Sequence, residues 1–300
     1  MNVLSLFDGM SCGQIALNRA QIPYNEYYSS EIDKQAIMVT QDNYPNTIQL
    51  GDVTKIKGQD LPQIDLLIGG SPCQGFSFAG KQLNFEDPRS KLFFEFVRIV
   101  KECRPKYWLL ENVVMKQEFQ DTITEFLGVK PIQINSSLVS AQNRVRLYWT
   151  NIPGISQPED KCITLNDILE NNEPKLNKAT IIGRRINNKG KREDYNKNIP
   201  ITQCLEVRNS NVDKSNCLTT VAKDNVLTPL PVGRHLDAFK NKLPFRYYTI
   251  KECCRLQTVP ENYFRNLSSE NQIRKMLGNG WTIDVIAHIF EGLKKELCGY

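Results

Sequence analysis

The sequence lacks the features that mark membrane, secreted and metal-binding proteins. No apolar run is long enough to span a bilayer. No basic stretch precedes the apolar residues 1–7, so we expect this segment to begin a strand rather than a signal peptide. Only two histidines are present and no CxxC pair occurs, so no metal site is predicted. We therefore expect a soluble globular protein.

The nine cysteines do not indicate a disulfide framework, because their number is odd and no secretory signal is present. We expect structural thiols at eight of the nine positions. Neither positive nor negative charge is in large excess. The 38 Lys and Arg residues and 33 Asp and Glu residues give a net charge of +5, which permits an anionic partner without indicating one.

Short apolar runs alternate with helical patterns in the first half of the 300-residue chain. The predicted strands are residues 3–7, 65–68, 107–110 and 146–149, and the predicted helices are residues 90–103, 249–257, 271–277 and 282–297. Strands that alternate with helices predict an α/β fold with a doubly wound, mostly parallel sheet.

The composition changes near Pro153. From there to about Leu243 the chain is polar, rich in Asn and Lys and poor in long periodic runs. We therefore predict a small irregular lobe at residues 155–245 and a larger domain made of residues 1–154 and 246–300. The basic side chains of the small lobe are candidates for phosphate contact or for an ordinary solvated surface.

One cysteine follows a predicted strand directly, in residues 69–75 (GGSPCQG). Ligand sites in parallel sheets lie at the carboxyl ends of strands, and Pro72 restricts this turn. Alone, Cys73 would be interpreted as a small buried residue. Glu111 favours a functional site, because a carboxylate directly after apolar strand residues needs a partner or a function. Its alternative role is to cap the following helix.

Two further clusters contain candidate binding groups. Arg144 and Arg146 share one face if their segment is extended, and paired guanidiniums suit a phosphate or a carboxylate; an exposed strand with two arginines is an equal alternative. Residues 7–13 combine a strand end, a glycine-bearing turn and a helix start, although they lack G-x-G-x-x-G. Glu31 and Asp52 follow strand-like runs, as expected for groups that bind a ribose and an adenine amino group.

Together and in this order, these motifs resemble those of the DNA cytosine-5 methyltransferases. The resemblance rests on residues 7–13, Glu31, Asp52, residues 71–74 (SPCQ), 111–113 (ENV), 142–146 (QNRVR), 255–257 (RLQ) and 278–280 (GNG). It covers roughly residues 1–153 and 246–300. Some stretches, including Trp281 after the last glycine, are similar to the catalytic domain of eukaryotic de novo methyltransferases.

The resemblance implies a Rossmann-like fold that binds S-adenosylmethionine, releases S-adenosylhomocysteine, needs no metal and acts on a cytosine flipped out of duplex DNA. It implies that Cys73 attacks C6 of the base and that Glu111 contacts N3 and the 4-amino group. Arg144 and Arg146 would hold the base, its phosphate or the Glu111 carboxylate. The implied cofactor contacts are Phe7, Asp8, Gly9, Met10, Ser11, Cys12, Gly13, Glu31, Ile32, Asp52, Val53, Pro72, Leu92, Asn279, Gly280 and Trp281. The implied DNA contacts are Gln74, Ser77, Lys81, Arg89, Gln142, Arg184, Arg185, Lys191 and Arg192.

The chain departs from the family pattern at Cys12, where bacterial members usually carry glycine, and at Trp281, where they usually carry valine. A tRNA methyltransferase of the same fold is an alternative, but the Cys-Phe-Thr typical of that branch is absent. A DNA-binding module without catalysis and a small-molecule methyltransferase are further alternatives. We expect a monomer in the cytoplasm of a prokaryotic or phage-infected cell, with a cognate restriction endonuclease as a candidate partner.

Overall fold

Two β-sheets organise the chain in a computed structural model that describes residues 1–71, 88–170, 176–208, 214–267 and 269–298. The strands are β1 (Val3–Leu6), β2 (Tyr27–Ser30), β3 (Ile48–Gln49), β4 (Leu66–Gly69), β5 (Tyr107–Val113), β6 (Ile132–Asn135), β7 (Val145–Thr150), β8 (Asn177–Arg185), β9 (Ile201–Val207), β10 (Val226–Thr228), β11 (Gly233–His235) and β12 (Arg246–Tyr247). The helices are α1 (Cys12–Arg19), α2 (Lys34–Asn43), α3 (Pro88–Cys103), α4 (Gln117–Leu127), α5 (Leu165–Ile168), α6 (Ile250–Gln257), α7 (Glu270–Asn279) and α8 (Ile283–Cys298).

The larger sheet has the strand order β3-β2-β1-β4-β5-β7-β6. Strands β1 to β5 pair in parallel, whereas β7 is antiparallel to both β5 and β6. The predicted mostly parallel α/β sheet is therefore confirmed. The strand order reverses direction between β1 and β4, and in such sheets the crevice at this reversal, outside the carboxyl ends of the strands, is where ligands bind.

Hydrophobic cores cover both faces of the larger sheet, as in a doubly wound fold. Val3 and Leu66 face a core shared with α1 and α8, whereas their neighbours Leu4 and Leu67 face a core shared with α3. This alternation follows from the two-residue period of a strand. Burying each such leucine contributes about 2 kcal/mol. No helix in the described ranges is long and apolar enough to cross a membrane.

The predicted helices near the C-terminus are also present. Helix α6 begins with a capping box, in which Glu252 N donates to the Thr249 hydroxyl and Thr249 N donates to the Glu252 carboxylate. These bonds satisfy two backbone donors that a helix start leaves open. Helices α7 and α8 follow, and the loop between them leads directly into the cavity described below.

The second sheet corrects the prediction that residues 155–245 are irregular. Its strand order is β11-β9-β8-β10-β12, and all of its strand pairs are antiparallel. Ala179, Ile181 and Leu205 form a small core on one face. These strands were hard to predict because their apolar residues do not form long periodic runs. Strands β8 and β10 are also far apart in the chain, so no local periodicity reveals their pairing.

Candidate active site

A cavity of about 660 Å³ opens at the carboxyl ends of the parallel strands. That volume lies within the range of small-molecule sites. Most of the predicted cofactor and catalytic residues line it, namely Phe7, Asp8, Gly9, Met10, Cys12, Glu31, Ile32, Asp52, Val53, Leu92, Glu111, Arg144, Arg146, Asn279, Gly280 and Trp281. The fold thus brings together residues that lie far apart in the sequence.

The turn between β1 and α1 forms one wall of the cavity. Phe7, Gly9 and Ser11 have φ angles of 58°, 59° and 61°, so left-handed residues alternate along this turn. Only glycine adopts that region without strain, and strained non-glycine residues are concentrated at functional sites. The Gly9 N–H donates to the Glu31 carboxylate at 2.7 Å, which ties the turn to the end of β2.

Two predicted cofactor contacts do not line the cavity, so that prediction is corrected. Ser11 is fully buried as the residue before α1, and its hydroxyl accepts a bond from the Gln14 side chain. Gly13 lies beneath the turn, where an added Cβ would approach the Ile68 side chain to 2.3 Å. Both residues support the turn from the side that faces away from the cavity. Cys12, which stands where the family usually has glycine, is buried, and burial raises the pKa of its thiol to about 12.

Two acidic residues lie where the sequence predicts them, at the strand ends beside the turn. Both carboxylate oxygens of Glu31 accept backbone N–H groups, from Gly9 and from Ile32 and Asp33. Asp52 begins a short 3-10 turn, and bonds from the Thr54 backbone and hydroxyl hold its pKa below the usual range. The Ile32 side chain is 75% exposed at the cavity rim, an apolar surface without a partner in the described chain.

A buried carboxyl group, Asp8, lies under the same turn. It accepts hydrogen bonds from the Tyr27 hydroxyl at 2.8 Å and the Ser29 hydroxyl at 3.0 Å. Burial raises its pKa to about 6, because desolvation of the carboxylate outweighs these neutral donors.

Glu111 is held on both sides at the wall formed by β5. One carboxylate oxygen pairs with Arg146 Nε at 3.1 Å, and the other accepts the Trp281 indole N–H at 3.1 Å. A Cβ on Gly70 would come within 3.1 Å of Glu111 and 3.0 Å of the indole nitrogen, so the approach depends on glycine at that position. The alternative role of Glu111 as a helix cap is not seen, because α4 begins after Lys116.

The residue after Glu111 links β5 to the end of β4. The Asn112 side-chain amide donates to the Ser71 hydroxyl at 3.2 Å, and its oxygen accepts the Val113 N–H. Ser71 is the last described residue before Cys73. The two strand ends that carry the candidate nucleophile and the candidate carboxylate are thus fixed to each other.

The two arginines of the QNRVR segment have different surroundings. Arg144 is almost fully buried and donates to the main-chain carbonyls of Leu218, Gly278 and Gly280 at 2.7 to 3.1 Å. Arg146 instead contacts Glu111. Burial alone would lower the pKa of Arg146, but the Glu111 carboxylate and the Cys217 thiol outweigh burial and raise it. Arg146 is therefore the arginine that supports Glu111.

Gln142 does not face a DNA surface, contrary to the prediction. Its side chain is fully buried. The amide nitrogen donates to Gln257 Oε1 at 2.9 Å and to a carbonyl of α6, and the amide oxygen accepts the Leu218 N–H at 3.1 Å. A buried amide with both ends bonded holds segments together, and withdrawing it would leave those partners unsatisfied.

Four of the basic residues predicted to contact DNA, Arg184, Arg185, Lys191 and Arg192, lie on and beside the second sheet. Arg184 is largely covered and pairs with Glu206 at 2.9 Å and Asp194 at 3.6 Å. Arg185 donates to the Ile199 carbonyl. Lys191 and Arg192 are exposed, and Arg192 pairs with Asp194.

Several predicted residues lie outside the described part of the chain. They are Pro72, Cys73, Gln74, Ser77 and Lys81, together with the side chain of Arg89.

Sequence reasoning missed other residues of the site. Lys275 pairs with Asp33 at 3.0 Å at the rim, and Cys217 contacts both arginines from the small lobe. Neither residue belongs to a motif, so only the fold reveals them. Among the described residues, no group of three or more His, Cys, Asp and Glu side chains is placed to hold a metal ion.

Comparison with known proteins identifies relatives. The family model described as C-5 cytosine-specific DNA methylase matches residues 1–128 and 133–295. The chain is 32% identical over 317 aligned positions to the type II methyltransferase M1.ScrFI of Lactococcus lactis subsp. cremoris, covering 98% of this chain and 78% of that protein. It is 34% identical over 197 positions to the type II methyltransferase M.NgoBV of Neisseria gonorrhoeae, covering 57% of this chain and 47% of that protein.

Solved structures show the same fold. The methyltransferase EhMeth of Entamoeba histolytica superposes with a TM-score of 0.73 at 18% identity, covering 99% of this chain and 98% of that chain.

Proposed function

Because the chain belongs to the C-5 cytosine-specific DNA methylase family and is a DNA cytosine-5 methyltransferase, we propose that it methylates C5 of a flipped-out cytosine with Cys73 as nucleophile and S-adenosylmethionine as donor. One observation carries this proposal. Glu111 is fixed by Arg146 and Trp281 at the cavity wall, next to Ser71, the last described residue before Cys73.

The residues of the cavity fit the proposed cofactor. Glu31 and Asp52 offer carboxylates to a ribose and an adenine amino group, and both described side-chain bonds of Asp52 fall on one oxygen, Oδ1. The exposed Ile32 side chain offers an apolar surface to the adenine ring. S-adenosylmethionine bound here supplies an electrophilic methyl group.

The nucleophile is needed because cytosine C5 reacts poorly while the ring remains aromatic. The Cys73 thiolate adds to C6, an S–C6 bond forms, and the electron pair moves to C5, which then accepts the methyl group. A base removes the C5 proton, the S–C6 bond breaks, and aromaticity returns. A free thiol has a pKa of about 8.5, so the site must favour the thiolate.

Glu111 stabilises the negative charge that develops on the ring during this addition. Protonated, it donates to N3 while its second oxygen accepts from the 4-amino group. Arg146 and Trp281 keep the carboxyl group in one orientation, which limits the reorganisation needed at the moment of reaction. Arg144, bonded to three carbonyls, positions the loop before α8 rather than the base.

Duplex DNA must give up the target base, since a stacked cytosine cannot reach this cavity. We assign residues 155–245 to target recognition, with Lys191 and Arg192 as phosphate contacts. Arg184 and Arg185 act instead within the lobe, because their guanidiniums are bonded internally. The relatives named type II methyltransferases support a place beside a restriction endonuclease.

The decisive experiment compares the wild-type protein and Cys73→Ser in a host without DNA methylation. Bisulfite sequencing of the host DNA should show a defined methylated motif with the wild-type protein and none with Cys73→Ser. Purified Cys73→Ser should still bind duplex DNA that contains the motif. Near-normal methylation by this variant would overturn the proposal, and tRNA is the control substrate expected to remain unmethylated.

A further inference from the structure

A segment of the small lobe packs against Arg144 and Gly278, two residues that line the cavity. Residues 214–219, here called the strap, lie between β9 and β10 but pack against the larger domain. Ser215 forms a parallel bridge with Gln142, in which Ser215 N donates to the Ala141 carbonyl and the Ser215 carbonyl accepts the Asn143 N–H. Lys214 Nζ donates to the carbonyls of Ser137, Ser140 and Ile163. The strap is therefore anchored to the larger domain as well as to the second sheet, where Lys178 of β8 donates to the Lys214 carbonyl at 2.8 Å.

The strap also fits closely against the end of α7. A Cβ on Gly278 would lie 2.4 Å from the Thr219 carbonyl carbon, so the two backbones approach too closely for any side chain. Arg144 also joins the strap to the end of α7 and the loop that follows it, since it donates to Leu218 of the strap and to Gly278 and Gly280. This packing fixes the position of Cys217, which directly precedes Leu218 in the strap.

Cys217 contacts both arginines of the site. Its sulfur lies 3.3 Å from Arg144 Nη1 and 3.8 Å from Arg146 Nη2. The guanidinium of Arg146 thus has one partner for each nitrogen: Glu111 for Nε, the Val145 carbonyl for Nη1 and Cys217 for Nη2. The thiol completes a chain of contacts that runs from the strap through Arg146 and Glu111 to Trp281.

We propose that Cys217 is a positioning residue for methyl transfer, which acts by holding Arg146 in the orientation that fixes Glu111. This inference rests on the proposed role of Glu111. Without the sulfur, the Nη2 end of Arg146 has no acceptor among the residues that the structure describes, and the guanidinium can rotate away from the carboxylate. The small lobe thereby contributes directly to the geometry of the chemical step as well as to DNA binding.

The test measures single-turnover methyl transfer on duplex DNA that contains the target motif in unmethylated form. Cys217→Ala should lower the rate about 3- to 10-fold, the effect of one net hydrogen bond, while the Kd for DNA stays unchanged. Cys217→Ser should restore most of the rate, because its hydroxyl also accepts hydrogen bonds. Cys204→Ala is the matched control: it removes a buried thiol of the same lobe that donates to the Thr202 carbonyl, and it should keep the wild-type rate.

A double-mutant cycle separates positioning from general packing. Lysine has no Nη2, so in an Arg146→Lys background Cys217→Ala should cause no further loss of rate. The inference would be overturned if the rate losses of Arg146→Lys and Cys217→Ala multiply in the double variant. It would also be overturned if Cys217→Ala has the wild-type rate, or if Cys217→Ser is as slow as Cys217→Ala. If Cys217→Ala does not fold, Cys217→Val replaces it, since valine fills the space without accepting a bond. Cys73→Ser tests the proposed function separately, because its inactivity does not depend on the outcome at Cys217.

Discussion

The two sheets surround their carboxyl groups with different chemistry. In the larger sheet, the Asp8 carboxyl accepts hydrogen bonds from neutral hydroxyls, including those of Tyr27 and Ser29, and burial raises its pKa to about 6. In the second sheet, Glu206 pairs with Arg184, and the hydrogen bond from that guanidinium lowers its pKa. A buried carboxyl among neutral donors resists ionisation, whereas one beside guanidiniums remains an ion.

Glu111 combines both environments. An arginine contacts one of its oxygens and a neutral indole N–H contacts the other. In the proposed mechanism Glu111 donates to N3 as negative charge develops on the ring, and these two contacts keep its carboxyl group in place. We therefore expect the chemical step to depend on carboxyl groups of the larger sheet and the ion pairs of the second sheet to contribute to stability, and four substitutions test this expectation.

The largest effect is expected at Glu111. Glu111→Gln keeps the size of the side chain but removes the acid, so the rate of methyl transfer should fall by about 10²- to 10⁴-fold. A single-turnover assay measures it, together with cofactor affinity by calorimetry, which should change little. Glu206→Gln is the matched control and should transfer methyl groups at the wild-type rate. Equal losses of rate and cofactor affinity in Glu111→Gln would indicate a structural role instead.

The next largest effect is expected at Asp8, on the pH dependence of the free energy of unfolding. Because its folded-state pKa is raised from 3.8 to about 6, its contribution to stability is present at low pH and is lost as pH rises through about 6. The difference in unfolding free energy between the wild-type protein and Asp8→Asn should therefore shift by about 2 kcal/mol in favour of Asp8→Asn between pH 4 and pH 7. Urea unfolding across this pH range measures it, and a constant difference would contradict the prediction.

A smaller effect is expected at Arg184. Its removal leaves Glu206 with Arg208 and Arg234 at 4.0 and 3.5 Å, so Arg184→Ala should reduce stability by about 1 kcal/mol at neutral pH. Because the pKa of Glu206 is lowered in the folded state, this loss should shrink as pH falls below the usual glutamate range. Thermal unfolding at pH 7 and pH 4 checks both the loss and its pH dependence.

The smallest effect is expected at Arg192. As an exposed phosphate contact, Arg192→Ala should weaken DNA binding equally for all sequences and reduce the slope of log K against log salt by about one. Arg184→Ala should leave that slope unchanged. Titrations of DNA at several salt concentrations compare the two variants, and identical slopes would remove the distinction drawn between the internal and exposed arginines.

Much of the larger sheet could be predicted from sequence because its signals are local. The run before Gly69 and the run before Glu111 are apolar and end in polar residues, which is the pattern of a buried parallel strand. The order of these strands, and hence the meeting of Glu111 with Asn112 and Ser71 at one edge, follows from the fold class.

The roles that could not be predicted from sequence depend on contacts between distant segments of the chain. Gln142 and Arg144 belong to a motif, and the sequence suggested exposed binding groups; burial against the strap gave both a different role. The sequence placed Trp281 near the cofactor, but its bond to Glu111 spans 170 residues and has no sequence signal. Cys217 resembled any structural thiol until the fold placed it beside two arginines.

The close approach of Gly278 to the strap has a consequence for retargeting the enzyme. An engineered exchange of residues 155–245 with those of a relative would replace the strap together with the rest of the proposed target-recognition lobe. The backbone of the donor segment would then need to pack directly against the backbone of Gly278, where there is no room for a side chain. Chimeras that retain residues 214–219 of this chain and exchange the flanking segments should preserve the catalytic geometry while altering which sequence is modified.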